Sequence, residues 1–66
     1  MNIAIQSIRE KRGMTQGKLA ERSDLPVEVI AALEQGQGVQ ITAEMMRRLA
    51  LALDAKITDI FFDKDV

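Results

Sequence analysis

Few residues in this chain could do chemistry, and what is missing narrows the choice first. The 66 residues include no cysteine and no histidine. That removes disulfides, thiolate and imidazole metal ligands, and the commonest general base. The acids Asp54, Asp59, Asp63 and Asp65 stand close together, but they lack the glycine and terminal glutamate of a calcium loop. They read as helix-flanking and tail solvation. Met45-Met46 reads as core or interface filling rather than a copper pair. Gly36-Gln37-Gly38 is no nucleotide loop, since no strand precedes it and no lysine follows in register. The sequence points away from an enzyme, and it calls for no metal and no cofactor.

What remains is a binding surface. Thr15 to Gln35 reads as two short helices joined by a tight turn at Ser23-Asp24-Leu25. Ala20 is small where the second helix must cross close to the third, and Leu25 is apolar in the turn. Ile30 and Leu33 follow five and eight residues later. A bihelical unit of this geometry lets its second helix enter a major groove while the first lies across the backbone.

The elements that must position this unit are short and helical. Over residues 3–12, Ile5, Ile8 and Arg12 fall at spacings of three and four, with Arg9 beside that face, and Gly13 is a left-handed stop. Thr15 offers an N-cap, although Lys18 stands where a capping box wants Glu or Gln. Gly17 weakens that helix by up to about 1 kcal/mol. Asp24 suits a left-handed turn, and Pro26 opens the next helix, where its missing N–H costs little. Ile30 and Leu33 give that helix its inward stripe, Val29 lies at the margin, and Gly36 closes it. Residues 35–40 are loop by composition. Thr42 caps a fourth helix running to about Leu53, with Met45, Met46, Leu49, Ala50 and Leu53 available for burial. Thr58 caps a last short helix through Phe61 or Phe62, so helices four and five occupy about 42–62. Residues 63–66 read as a frayed tail.

The totals suit one domain, residues 1–66. So short a chain buries only about 60% of the surface its unfolded form exposes, thin for a closed active site and comfortable for a binding module. Helix formers dominate, and Phe61 and Phe62 are the sole aromatics, which favours an all-α fold. Polar Gln6, Ser7 and Arg9 interrupt the N-terminus at once, and no segment approaches the roughly 20 apolar residues of a membrane helix. A soluble, cytoplasmic protein is expected. The formal net charge is −1 and the pI about 5.2. Phosphate neutralisation supplies much of the affinity of DNA-binding domains, so this balance counts against DNA.

Ile8-Arg9-Glu10-Lys11-Arg12-Gly13-Met14-Thr15-Gln16, followed by Leu19-Ala20-Glu21-Arg22-Ser23, resembles the Cro/repressor-type helix-turn-helix family, often called the XRE family. The likeness continues through Leu25-Pro26, Ile30, Leu33-Glu34-Gln35-Gly36 and Arg48-Leu49-Ala50-Leu51-Ala52-Leu53, and ends at Ile57-Thr58-Asp59-Ile60-Phe61. It needs no gap inside the bihelical unit. The resemblance implies a compact five-helix bundle of the lambda-repressor-like type, and a sequence-specific DNA-binding transcriptional regulator such as a small dimeric repressor. It also implies an ion pair between Arg9 and Glu34, and a phosphate hydrogen bond from Gln16. The backbone N–H groups at that helix start already attract an anion.

The outward face of the third helix departs from the pattern. Its positions are Val27, Glu28, Ala31 and Ala32, and no Lys or Arg lies between Arg22 and Arg47. Two readings follow. In one, the helix reads double-stranded DNA: Val27 and Ala32 contact thymine methyls, Glu28 accepts from cytosine N4, and Gln16, Lys18 and the loop around Gln37 hold phosphates, with Arg22 and Lys11 as further candidates. In the other, Val27, Val29, Ala31 and Ala32 pack against a protein partner, as in an antitoxin or anti-repressor pair.

Ile60-Phe61-Phe62 is hard to bury whole near a terminus. In the related family the fourth and fifth helices often supply a two-fold contact, so a homodimer is expected with Ile57, Ile60 and Phe62 at its interface. That symmetry would set the recognition helices about 34 Å apart and imply a palindromic site.

Overall fold

Ile5 and Arg9 lie one helical turn apart, so a helix that buries one also buries the other. This pair is the inward face of α1 (Ile5–Lys11) in the computed structural model, which describes residues 2–37 and 40–62. Ile8 packs at the margin of the core and Arg12 is exposed. The helix starts later than the periodicity suggests because Asn2–Ile3 form a strand, β1.

Four further helices follow: α2 (Gln16–Ser23), α3 (Val27–Glu34), α4 (Ala43–Leu53) and α5 (Ile57–Ile60). The chain ends its described part in β2 (Phe61–Phe62), antiparallel to β1 with Asn2 opposite Phe62 and Ile3 opposite Phe61. The architecture is an all-α five-helix bundle, with this two-residue pairing tying its ends together. Gly38, Val39, Asp63, Asp65 and the rest of the expected tail lie outside the described residues.

One closure recurs at four helix ends. Gly13, Asp24, Gly36 and Asp54 all take positive φ, at 69°, 57°, 71° and 51°. In each case the next residue's N–H reaches back five positions: Met14 to the Arg9 carbonyl, Leu25 to Ala20, Gln37 to Ala32 and Ala55 to Ala50, all at 3.0–3.1 Å. The left-handed residue satisfies carbonyls that the helix end would otherwise orphan. At the helix starts, the Thr15 hydroxyl accepts from the Lys18 N–H at 3.0 Å and the Thr42 hydroxyl from Met45 at 3.1 Å.

The last helix corrects its expected start. Lys56, in extended conformation, is the cap of α5, and Thr58 lies inside the helix. The Asp59 carboxylate turns back to the Lys56 N–H at 3.4 Å.

Ile5, Leu19, Ile30, Leu33, Leu49, Leu53 and Ile60, one or two from each helix, fill the centre with Phe61 of β2, and Ala20 and Ala50 stand where helices approach closely. Met46 packs against this core.

Candidate nucleic-acid interface

The bihelical unit is held from behind by a network centred on Glu34. Arg9 Nε donates to Glu34 Oε2 at 2.7 Å and Arg9 Nη2 to Oε1 at 3.2 Å, while Nη1 donates to the Met14 carbonyl at 2.6 Å. Gln16 Nε2 donates to the same Oε1 at 2.9 Å. The Glu34 side chain is only 4% exposed and that of Arg9 11%, so three helices share one nearly buried ion pair. Burial pushes the Glu34 carboxyl up, but the hydrogen bonds from Arg9 and Gln16, with the Arg9 charge, outweigh it and hold the group below its ordinary value. The same hydrogen bond raises the Arg9 guanidinium further. A pair of this kind fixes the angle of α3 against α1 and α2.

The turn between the helices has its own supports. The Ser23 hydroxyl is buried and donates to the Leu19 carbonyl at 2.7 Å. Arg48 on α4 donates to the Asp24 carbonyl at 3.3 Å, bracing the turn from the side. Pro26, extended, leads into α3 without a side-chain cap. No local sequence signal announces these supports. Arg48 and Ser23 stand in the family-like blocks, yet nothing local says what they touch.

The surface itself is plain. Ile30 and Leu33 face the core, which turns Glu28, Ala31 and Ala32 outward at helical spacing, with Val27 at the flank. Val27 is 40% exposed, Glu28 is exposed, and Ala31 and Ala32 are half-buried. Lys18 is exposed at the start of α2 and pairs with Glu21 at 3.2 Å. Arg22 is exposed and has no ion-pair partner among the described residues. Gln37, beyond the end of α3, is exposed and donates to the Gln35 side chain at 3.0 Å. The structure thus gathers Arg9, Gln16 and Glu34 into one network and leaves Gln16 with one of its two amide N–H donors engaged. It sets Lys18, Val27, Glu28, Ala31 and Ala32 on the outer surfaces of α2 and α3, and Gln37 past the end of α3.

Where β2 pairs with β1, one expectation is corrected. Ile60 has no exposed surface, and Phe61 is also buried. The pairing of β2 with β1 turns Phe61 inward and Phe62 outward, because alternate strand residues face opposite sides. Ile60 is a core residue and takes no part in an interface, whereas Ile57 and Phe62 are each 40% exposed.

A family model described as helix-turn-helix matches residues 5–60. The chain belongs to this family, of Cro/repressor (XRE) type, whose members are DNA-binding regulators. No curated protein matches the chain. Among the described residues no helix is long and apolar enough to cross a membrane, and no cluster of acids could hold a metal ion.

Proposed function

We propose that residues 1–66 form one domain that binds double-stranded DNA sequence-specifically as a homodimer and regulates transcription from a palindromic site. One observation carries this reading. α3 stands outward at a fixed angle, locked through Glu34 to Arg9 on α1 and Gln16 on α2. A rigid helix on a braced turn suits entry into a major groove, with its first residues at the base edges.

In this reading Gln16 uses its second amide N–H for a phosphate, Lys18 and Arg22 flank it on α2, and Gln37 approaches the backbone beyond α3. Val27, Glu28, Ala31 and Ala32 meet the bases. With about two cationic contacts per protomer, counterion release is small, so log K should fall with log salt by a slope of about −4 or shallower for a dimer. Affinity then leans on groove fit and on dimerisation. Titration with random-sequence duplex at low salt, repeated as salt rises, tests this: binding that weakens along that shallow slope supports it, and no binding at low salt defeats it.

A second reading has its own observation. α3 presents Val27, Ala31 and Ala32 and carries no cation, a surface another protein's helix could pack against. A partner domain would show tight, nearly salt-independent association with protein and none with duplex.

A further inference from the structure

We propose that Glu28 selects a C·G base pair, taking a hydrogen bond from cytosine N4 and excluding the other pairs by repulsion; this rests on the DNA reading above. Glu28 is the second residue of α3 (Val27–Glu34), the part of a recognition helix that meets base edges. Its side chain is exposed and makes no hydrogen bond or ion pair among the described residues. Its neighbours on the outward face are the methyls of Ala31 and Ala32, so nothing bulky holds the helix away from the groove floor. A negative charge is well placed in the first turn of a helix, beside its free N–H groups.

An ionised carboxylate can only accept, and the major-groove edges differ in what they donate. Cytosine offers N4–H2 with no acceptor on its own edge. Adenine offers N6–H2 beside the N7 acceptor, guanine presents the acceptors N7 and O6, and thymine presents O4. A carboxylate at base depth is therefore satisfied by cytosine, half-satisfied by adenine, and left desolvated against an acceptor by guanine or thymine. With no lysine or arginine on α3 to offset it, Glu28 is the one charged group on the outward face of the helix. It dominates the choice at its position.

The test is selection from a pool of randomised duplexes by the full chain, by Glu28→Gln and by Glu28→Ala, with far-ultraviolet circular dichroism to check that the variants fold. The wild type should enrich C at one position of each half-site. Glu28→Gln should move that position to A, because an amide pairs with adenine N6 and N7. Glu28→Ala should leave it unspecified, with the other positions unchanged. On defined duplexes, replacing that C·G by G·C should weaken the wild type roughly five- to one-hundred-fold and the alanine variant by less than about twofold. If all three proteins enrich the same base there, the assignment of Glu28 is wrong and DNA binding stands. If the wild type enriches no sequence, the DNA reading fails and the assignment fails with it.

Discussion

Gln16 and Arg9 both donate to one oxygen of Glu34, Gln16 Nε2 at 2.9 Å and Arg9 Nη2 at 3.2 Å. The residue proposed to meet a phosphate is thereby tied to the ion pair that orients α3. Glu34→Gln should test what that carboxylate holds. It keeps the shape but leaves the Arg9 guanidinium, largely buried, with the Met14 carbonyl and only the exposed Glu10 carboxylate, at 3.8 Å, as counter-charge. Loss of one partner of a buried pair costs about 3 kcal/mol or more. Urea denaturation should show a lower midpoint with little change in slope; an unchanged midpoint would mean that the pair contributes nothing to stability.

The same carboxylate sets an acid dependence with a definite sign. The folded protein holds Glu34 below its ordinary value, so the unfolded chain binds the proton more readily. The resulting stabilisation is complete above the unfolded value of about 4.3 and is lost as pH falls through the lower folded value. Wild type and Glu34→Gln should therefore converge in stability as acid is added below about pH 4. A difference that stays constant down to the acid limit would contradict this origin.

Gln16→Ala separates positioning from contact. If its amide reaches a phosphate, the variant should bind all duplexes more weakly by about the same factor, since phosphate contacts carry no sequence information. A loss confined to one sequence would show that Gln16 acts through α3 instead. The fold should survive, because Arg9 retains its own bonds to Glu34.

Asp54 ends α4 at φ 51°, a left-handed conformation that glycine adopts freely and alanine does not. Asp54→Gly should be tolerated, and Asp54→Ala should be less stable than the glycine variant by about 1 kcal/mol. The Arg12 guanidinium adds bonds to the Leu53 and Asp54 carbonyls at 2.9 and 3.1 Å, so the two glycine-tolerant ends of α1 and α4 are joined. Equal melting temperatures for Asp54→Gly and Asp54→Ala would show that the left-handed turn is not held.

Local chemistry is what the sequence displays best. The caps at Thr15 and Thr42 and the left-handed ends at Gly13, Asp24 and Gly36 depend on residues within one turn of each other, and their types announce them. The all-α class follows from composition, and the order of helices follows from their punctuation. The outer face of α3 was equally legible, because Ile30 and Leu33 fix which side is buried. Long-range pairing is what a linear reading lacks. Which of Ile60, Phe61 and Phe62 faces inward depends on Asn2–Ile3 lying antiparallel to Phe61–Phe62, a contact between opposite ends of the chain that two residues of sequence cannot advertise. The start of α5 is hidden for a related reason: Thr58 is a good cap by type, but the extended Lys56 and the returning Asp59 carboxylate open the helix earlier.

The corner where Ile60 and Phe62 part company supplies the last prediction. Phe62 is exposed on a shallow surface beside Ile8 and Ala55, and Ile57 is exposed at the start of α5, whereas Ile60 is enclosed. If a second copy of the chain covers this surface, Ile57→Lys and Phe62→Ser should shift light scattering from dimer toward monomer. Each separated protomer should keep its helical spectrum. Ile60→Ala should behave differently: a buried isoleucine cut back to alanine costs about 2–5 kcal/mol, so it should destabilise the fold whatever the association state. Dimerisation also makes the melting temperature rise with protein concentration, and the two surface variants should abolish that rise while Ile60→Ala lowers the whole curve. A wild-type chain that scatters as a monomer at high micromolar concentration would remove the dimer. The domain would then have to read its site as a single unit.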